Sequence, residues 1–224
     1  MRRGYFASLS FIDDQVETLL QALKDEGIYD NTLIVYTSDH GDMLGDHGLF
    51  TKGAMFYEDG VNVPLIVKYP GQTKGARSRR LVNLRDLFAT LYIAAGGDAG
   101  LRPESLPLQE EKERAFALTE YRGCGKFDLA DFPHPILATM IRDEVWKLNL
   151  YHDSQEMQLF NLDEDPKELH DLSATPRGQR AALRLTQAYL RENARRDYAL
   201  NAARGGQSAV PAFANLPSQK RREP

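Results

Sequence analysis

The sequence predicts an α/β fold in which part of a mixed sheet is flanked by helices and followed by a small antiparallel sheet with a helix. Three observations support this prediction. A helical pattern of apolar residues precedes an unbroken apolar strand, a second strand and helix follow, and four short strand-like runs come after them.

The first predicted element is an amphipathic helix from Ser8 to Glu26, in which apolar residues recur at helical spacing. Ser8 or Ser10 can cap its start, and Gly27 can close its end. A strand follows from Thr32 to Thr37, and its run of four apolar residues predicts a sheet covered on both faces.

Two further elements complete the first part of the chain. A strand is predicted from Pro64 to Tyr69, and apolar residues from Leu84 to Ala95 mark a helix that Gly96 stops. Helix, strand, loop, strand and helix in this order favour a mixed or parallel sheet. We therefore expect residues 1–107 to form the end of an α/β core.

Residues 108–200 are predicted to form a small separate subdomain. A helix is expected from Thr175, a good capping residue, to about Tyr198. The tail, residues 201–224, is rich in Gly, Ser, Pro, Gln and basic residues and is expected to be disordered. Before the helix, short strands are predicted at 115–119, 136–141, 145–150 and 158–161, with Asp143-Glu144 joining the middle two as a hairpin.

Composition excludes several classes of partner. The 224 residues carry a net charge of −4, which gives no electrostatic reason to expect nucleic acid. No apolar run approaches the roughly 18 residues of a membrane span, so we expect no membrane partner. The single cysteine, Cys124, excludes an internal disulfide and a cysteine-rich zinc site. The compartment stays open between cytoplasm and periplasm.

The strongest chemical signal follows the first strand. The stretch 37–48 holds five ionisable residues and three glycines. Asp39 and His40 are adjacent, so both reach one ion only if the strand breaks, and Gly41 supplies the freedom for that. A carboxylate and an imidazole suit a divalent cation. The alternative makes Asp39 a turn residue and His40 a surface histidine.

Three further residues in this region are candidates for the site. Lys52 follows a loop with several glycines and can clamp a divalent oxyanion or donate a proton to a leaving oxygen; alternatively it is a solvated loop lysine. His47 can contact a substrate or support the metal ligands. Helix capping or turn formation is the expected role of Asp46, and Asp42 is also expected to be structural.

Residues 37–49, together with Lys52-Gly53, resemble the metal-binding segment of the sulfatase family, which belongs to the alkaline phosphatase superfamily. The helix segment 10–16 and the strand segment 56–67 resemble the flanks of that motif. Segments 146–148 and 158–168 resemble the family's C-terminal subdomain. The resemblance covers most of residues 4–198.

The resemblance implies a sulfatase-like α/β fold and a hydrolase of small-molecule or saccharide sulfate esters. Asp39 and His40 would supply half of a cation site, usually calcium in this family and sometimes manganese. Lys52 would contact the sulfate and assist the leaving group. The family's nucleophile is a formylglycine, made from Cys or Ser in a Cys/Ser-x-Pro/Ala-x-Arg motif.

The chain departs from the family at the nucleophile. The surroundings of Cys124 lack the motif's Pro or Ala, and Asp128 stands where its Arg belongs. We expect the formylglycine and an aspartate pair on a segment that precedes residue 1, so the chain is expected to be a fragment that is inactive alone.

Two alternatives stay open. One is a phosphonate monoester or phosphodiester hydrolase of the same superfamily, since such enzymes share the Asp-His pair and the lysine. The other is a non-catalytic protein, either a truncated paralogue or a subunit completed by a separate N-terminal chain or by oligomerisation. The sequence leaves the alcohol part of the substrate open.

Overall fold

The structure, a computed structural model, describes residues 1–98, 105–110, 112–123, 136–154 and 156–203, with side chains described through residue 198. It contains a two-stranded sheet, which shares the first part of the chain with three α-helices, and a four-stranded sheet followed by one long helix. Cys124 and residues 204–224 lie outside the described residues.

Helix α1 runs from Arg2 to Asp25, so the predicted start near Ser8 is wrong. The hydroxyls of Ser8 and Ser10 donate to the carbonyls four residues upstream, at 3.1 and 3.2 Å, and therefore bond within the helix instead of capping it. The predicted end at Gly27 is confirmed. Its φ of 68° lets the Ile28 amide donate to the Leu23 carbonyl at 3.0 Å.

Strands β1 (Ile34–Thr37) and β2 (Leu65–Lys68) form the first sheet. They pair antiparallel, with Ile34 opposite Lys68 and Thr37 opposite Leu65. A mixed sheet contains such pairs, whereas the parallel alternative does not hold for these two strands. Cover on both faces is incomplete within the described residues, because Ile66 is 63% exposed.

Helices α2 (Glu58–Val61) and α3 (Asp86–Ala94) flank β2 in the chain. The start of α3 is fixed by the buried carboxylate of Asp86. This carboxylate accepts the Asn83 and Leu106 amides at 2.8 and 2.9 Å and pairs with the Arg114 guanidinium at 2.6 Å. Helix α3 is thereby tied to the chain that leads into the second sheet.

The second sheet is an antiparallel meander of four strands, in the spatial order of the sequence. The predicted hairpin between the middle two strands is confirmed, because the Asp143 carboxylate accepts the Val145 and Trp146 amides at 2.9 and 2.6 Å. The strands are β3 (Ala117–Arg122), β4 (Leu137–Arg142), β5 (Trp146–Tyr151) and β6 (Met157–Asn161).

Helix α4 (Pro176–Ala203) covers one face of this sheet. The predicted cap is present, since the Thr175 hydroxyl accepts the Gly178 amide at 3.0 Å. The helix continues to Ala203, three residues into the predicted tail. The core between this helix and the sheet consists of Ile141, Leu148, Leu159, Ala181, Ala182 and Leu185.

The opposite face of the second sheet packs on the segment that precedes β2. Phe56, which is 2% exposed, contacts Ala138 and Met140 of β4. Strand residues alternate between the two faces, so β5 directs Leu148 toward α4 and its neighbours toward Phe56 and α2. The division at residue 107 stays a prediction, and a shared apolar cluster joins the two sides of that boundary.

None of the helices in the described part of the chain combines the length and the apolar character needed to cross a membrane.

Replacement of Leu185 by Ala should destabilise the chain by about 2–5 kcal/mol, because Leu185 is 1% exposed and lies in the core beneath α4. Leu183→Ala on the same helix is the matched control; Leu183 is 60% exposed, so its loss should change stability by less than about 0.5 kcal/mol. Urea unfolding followed through the fluorescence of Trp146 measures both. Equal losses in the two variants would contradict the described packing of α4.

Candidate functional site

Asp39 and His40 lie immediately beyond the end of β1. The Ser38 hydroxyl donates to the His40 carbonyl at 2.8 Å, and the His40 amide donates to Asp39 Oδ1 at 2.9 Å. These short-range bonds turn the backbone out of the strand. As a result the two adjacent side chains approach each other, with His40 Nε2 3.5 Å from Asp39 Oδ2.

The orientation of the His40 ring is set by its other nitrogen. Nδ1 lies 2.8 Å from the Gly41 carbonyl oxygen, which can only accept, so Nδ1 carries a proton. In the neutral ring Nε2 then presents a lone pair toward the Asp39 carboxylate. Two acceptors at this separation favour a cation between them, and a ligating histidine commonly bonds a backbone carbonyl through its second nitrogen.

Gly41 is required by close packing. It does not adopt a positive φ, so the conformational freedom expected for it is not what the structure uses. Its amide donates to the Gly60 carbonyl of α2 at 2.9 Å, and a Cβ atom at Gly41 would lie 1.9 Å from the Asp59 carbonyl oxygen. Helix α2 therefore packs directly on the backbone of the Asp39-His40 turn.

Lys52 is brought back to this turn by a loop closed at its base. The Met43 amide donates to the Thr51 carbonyl at 2.9 Å, and the Asp42 carboxylate accepts the Leu44 and Thr51 amides. The expected structural role of Asp42 matches these bonds. Met43 is fully buried beneath the loop, which fixes its position.

The electrostatics of Asp39 reflect this arrangement. The hydrogen bond from the His40 amide is the largest influence and lowers the pKa of Asp39. Desolvation, the next influence, raises this pKa, and the charges of His40 and Lys52 lower it again, so the net shift is downward. Asp39 is exposed and therefore remains an ionised carboxylate at neutral pH. Asp39, His40 and Lys52 line one cavity.

His47 is placed differently from these three residues. Within the described part of the chain, His47 is not among the residues that line the cavity of Asp39, His40 and Lys52. Its ring stacks on Tyr57, with centroids 3.7 Å apart and planes inclined by 12°, and its φ is 54°. Asp46 lies in the 3₁₀ turn Asp46–Gly48 and accepts from Arg2 at 2.7 Å.

A buried ion cluster behind the cavity was not predicted. The Lys147 ammonium, 0% exposed, lies 2.7 Å from Glu168 Oε1 and 3.1 Å from Glu58 Oε1. Glu168 Oε2 also accepts the Glu58 amide at 2.6 Å. Burial raises the pKa of Glu168, while the Lys147 charge acts in the opposite direction. The sequence signal was a lysine between Trp146 and Leu148 in a strand.

The cavity lies between the Asp39-His40 turn and the second sheet. It is open to solvent and of mixed charge: Lys52, Arg80 and Arg142 line it together with Asp39 and Glu58. Arg80 is committed to structure, since its guanidinium donates to the Leu108 carbonyl at 3.0 Å and to that of Glu110. Arg142 Nε lies 3.6 Å from Glu58 Oε1, which connects the cavity wall to the ion cluster.

The side chains of Asp39 and His40 fit a divalent cation, but these two ligands make up only part of a metal site. Asp39 provides carboxylate oxygen, which Ca²⁺ and Mn²⁺ both accept, and His40 provides an imidazole nitrogen oriented for ligation. Within the described residues no group of three or more His, Cys, Asp or Glu side chains is arranged to hold a metal.

Comparison with known proteins shows that the chain is similar to sulfatases. The sulfatase family model matches residues 1–97. A choline-sulfatase of Rhizobium meliloti (strain 1021) is 36% identical over 184 residues, which are 79% of this chain and 34% of that protein. The chain therefore spans about a third of that relative's length.

Solved structures are also similar to this chain. The phosphonate monoester hydrolase of Agrobacterium radiobacter superposes with a TM-score of 0.68 and 28% identity, over 82% of this chain and 39% of that one. A protein solved in complex with its substrate D-glucosamine-2-N,6-O-disulfate superposes with a TM-score of 0.61 and 25% identity, over 85% and 39%. Residues 1–97 are thus similar to the sulfatase family, and the relatives and solved structures extend the similarity over most of the chain.

Proposed function

We propose that this chain supplies part of the active site of a sulfate-ester hydrolase, with Asp39 and His40 as cation ligands and Lys52 as a sulfate contact. The observation that carries the proposal is the convergence of these three residues on one cavity, where Asp39 Oδ2 and His40 Nε2 lie 3.5 Å apart. A choline-sulfatase relative at 36% identity supports the same reaction class.

Each residue has a role that follows from its chemistry. Asp39 and His40 would hold the cation, which when bound supplies positive charge for the oxygens of the sulfuryl group. The Lys52 ammonium would bind a sulfate oxygen electrostatically and can give its proton to the departing alkoxide oxygen. His47 is retained as a candidate substrate contact, with Tyr57 holding its ring.

Calcium is the cation we propose first, and manganese is the alternative. The Asp39 carboxylate is a hard oxygen ligand of the kind Ca²⁺ prefers, whereas the His40 nitrogen is better suited to Mn²⁺. We further propose that the nucleophile, a formylglycine in this family, is supplied by a segment outside these 224 residues, since they contain no Cys/Ser-x-Pro/Ala-x-Arg motif.

The substrate class is a small-molecule or saccharide sulfate ester. Both kinds occur among the similar proteins, one named a choline-sulfatase and one solved with a disulfated glucosamine. The phosphonate monoester hydrolase at a TM-score of 0.68 supports the second candidate reaction. Sulfate and phosphonate esters present similar tetrahedral oxyanions to Lys52 and the cation, so rates on paired aryl esters, measured with the whole active site assembled, separate the two.

We also propose that a further polypeptide segment or chain covers the exposed apolar surface of this chain and completes the active site. The first sheet leaves Ile66 exposed, and α1 carries no buried residue although Leu19 and Phe11 are apolar and 67% and 65% exposed. Apolar surface of this extent is typical of a face that another chain or segment covers. A truncated paralogue without activity is the competing interpretation.

Asp39→Asn should weaken binding of Mn²⁺ to the chain by at least about tenfold, because the variant removes one of the two proposed ligands. Isothermal titration with Mn²⁺ and with Ca²⁺ measures this. Asp13→Asn is the matched control, since Asp13 is an exposed carboxylate on α1. Equal affinities of the wild type and the Asp39 variant would contradict the cation site.

The purified chain should show no turnover of an aryl sulfate above the uncatalysed rate, because it lacks the nucleophile motif. Release of the phenol in the presence of Ca²⁺ or Mn²⁺ measures this, with a complete sulfatase as the positive control. Turnover that disappears in Lys52→Ala would show that the chain carries its own nucleophile and would refute this part of the proposal.

A further inference from the structure

We propose that Lys147, in the second sheet, is a positioning residue that sets the orientation of the His40 imidazole in the first part of the chain. This inference rests on the proposed cation site. It begins with an unusual feature: a lysine ammonium that is 0% exposed and lies between two carboxylates. Such a charge is retained in a protein only when its partners compensate for its desolvation.

The two carboxylates come from distant parts of the sequence. Glu58 begins α2, and Glu168 follows β6, 110 residues later. Lys147 holds both side chains, and Glu168 additionally accepts the backbone amide of Glu58 at 2.6 Å. The first residue of α2 is therefore fixed by both its side chain and its backbone to the second sheet.

Helix α2 passes this constraint to the turn after β1. It is only four residues long, from Glu58 to Val61, so fixing its first residue fixes the Gly60 carbonyl. That carbonyl accepts the Gly41 amide at 2.9 Å, in a contact where a Cβ atom at Gly41 would meet the Asp59 oxygen at 1.9 Å. The position of Gly41 thus depends on the position of α2.

The last step is the imidazole itself. The Gly41 carbonyl accepts from His40 Nδ1 at 2.8 Å, and this bond selects the tautomer that leaves Nε2 free for a cation. A displacement of α2 would move Gly41 and lengthen this bond. The ring would then lose the preference for a proton on Nδ1, without any change in a residue that touches the cation.

Lys147→Met tests the inference, with Glu58→Gln as a milder second variant should the first fail to fold. The full chain is studied without metal at about pH 8, where a histidine of ordinary pKa is neutral. Nitrogen-15 NMR of the His40 ring reports the fraction with the proton on Nδ1. We expect this tautomer to dominate in the wild type and to fall at least about twofold in both variants.

The matched control is Leu148→Ala, on the same strand but directed toward α4. It should lower the melting temperature by a comparable amount and leave the His40 tautomer unchanged. Titration with Mn²⁺ provides a second readout, in which affinity should fall about tenfold in Lys147→Met and stay constant in Leu148→Ala.

Unchanged His40 signals in both Lys147→Met and Glu58→Gln, or an equal change in Leu148→Ala, would overturn the positioning role. Failure of the proposed cation site looks different: the wild type would then bind Mn²⁺ no better than Asp39→Asn does. The metal-free tautomer measurement decides the inference in either case.

Discussion

The buried ammonium of Lys147 is the interaction on which the arrangement of this chain depends. It lies 2.7 Å from Glu168 and 3.1 Å from Glu58 and has no exposure to solvent. An ion pair of this kind adds little net stability compared with well-packed apolar groups, but removal of one partner is costly, typically about 3–5 kcal/mol. Its main consequence is therefore geometric, because it permits one relative position of the two carboxylates.

That position links the second sheet to the proposed site. The face of the sheet that carries Lys147 also holds Ala138 and Met140, which pack on Phe56 just before Glu58. Apolar contact attracts the second sheet and the segment before α2 to each other, and the ion cluster fixes their relative position. The small sheet thus forms one wall of the cavity that contains Asp39, His40 and Lys52, and it also supports the helix on which their turn packs.

The sequence predicted the parts of the fold that have local signals. The Schellman end of α1 at Gly27, the hairpin at Asp143 and the Thr175 cap each depend on bonds within a few residues. The start of α1 was missed because serine caps and serines bonded within a helix have the same sequence signature, and nothing in the sequence before Ser8 contradicted the cap.

The site was predictable only as far as its motif. Asp39, His40 and Lys52 lie within fourteen residues, so sequence spacing could group them, and the structure brings them to one cavity. The burial of Lys147 could not be predicted, because a lysine in a strand usually indicates a solvated face. Its two carboxylate partners lie 89 residues before it and 21 residues after it in the sequence. The stacking of His47 on Tyr57 and the φ of 54° at His47 likewise have no local signal in the sequence.

The most direct test of this account is a double-mutant cycle between Lys147 and Glu168, with the free energy of unfolding measured in urea for the wild type, Lys147→Met, Glu168→Gln and the double variant. Our account predicts that the two single losses are not additive and that the coupling free energy exceeds about 1 kcal/mol. Additivity within about 0.5 kcal/mol would mean that the two groups act independently, and the central role assigned to this buried pair would be wrong.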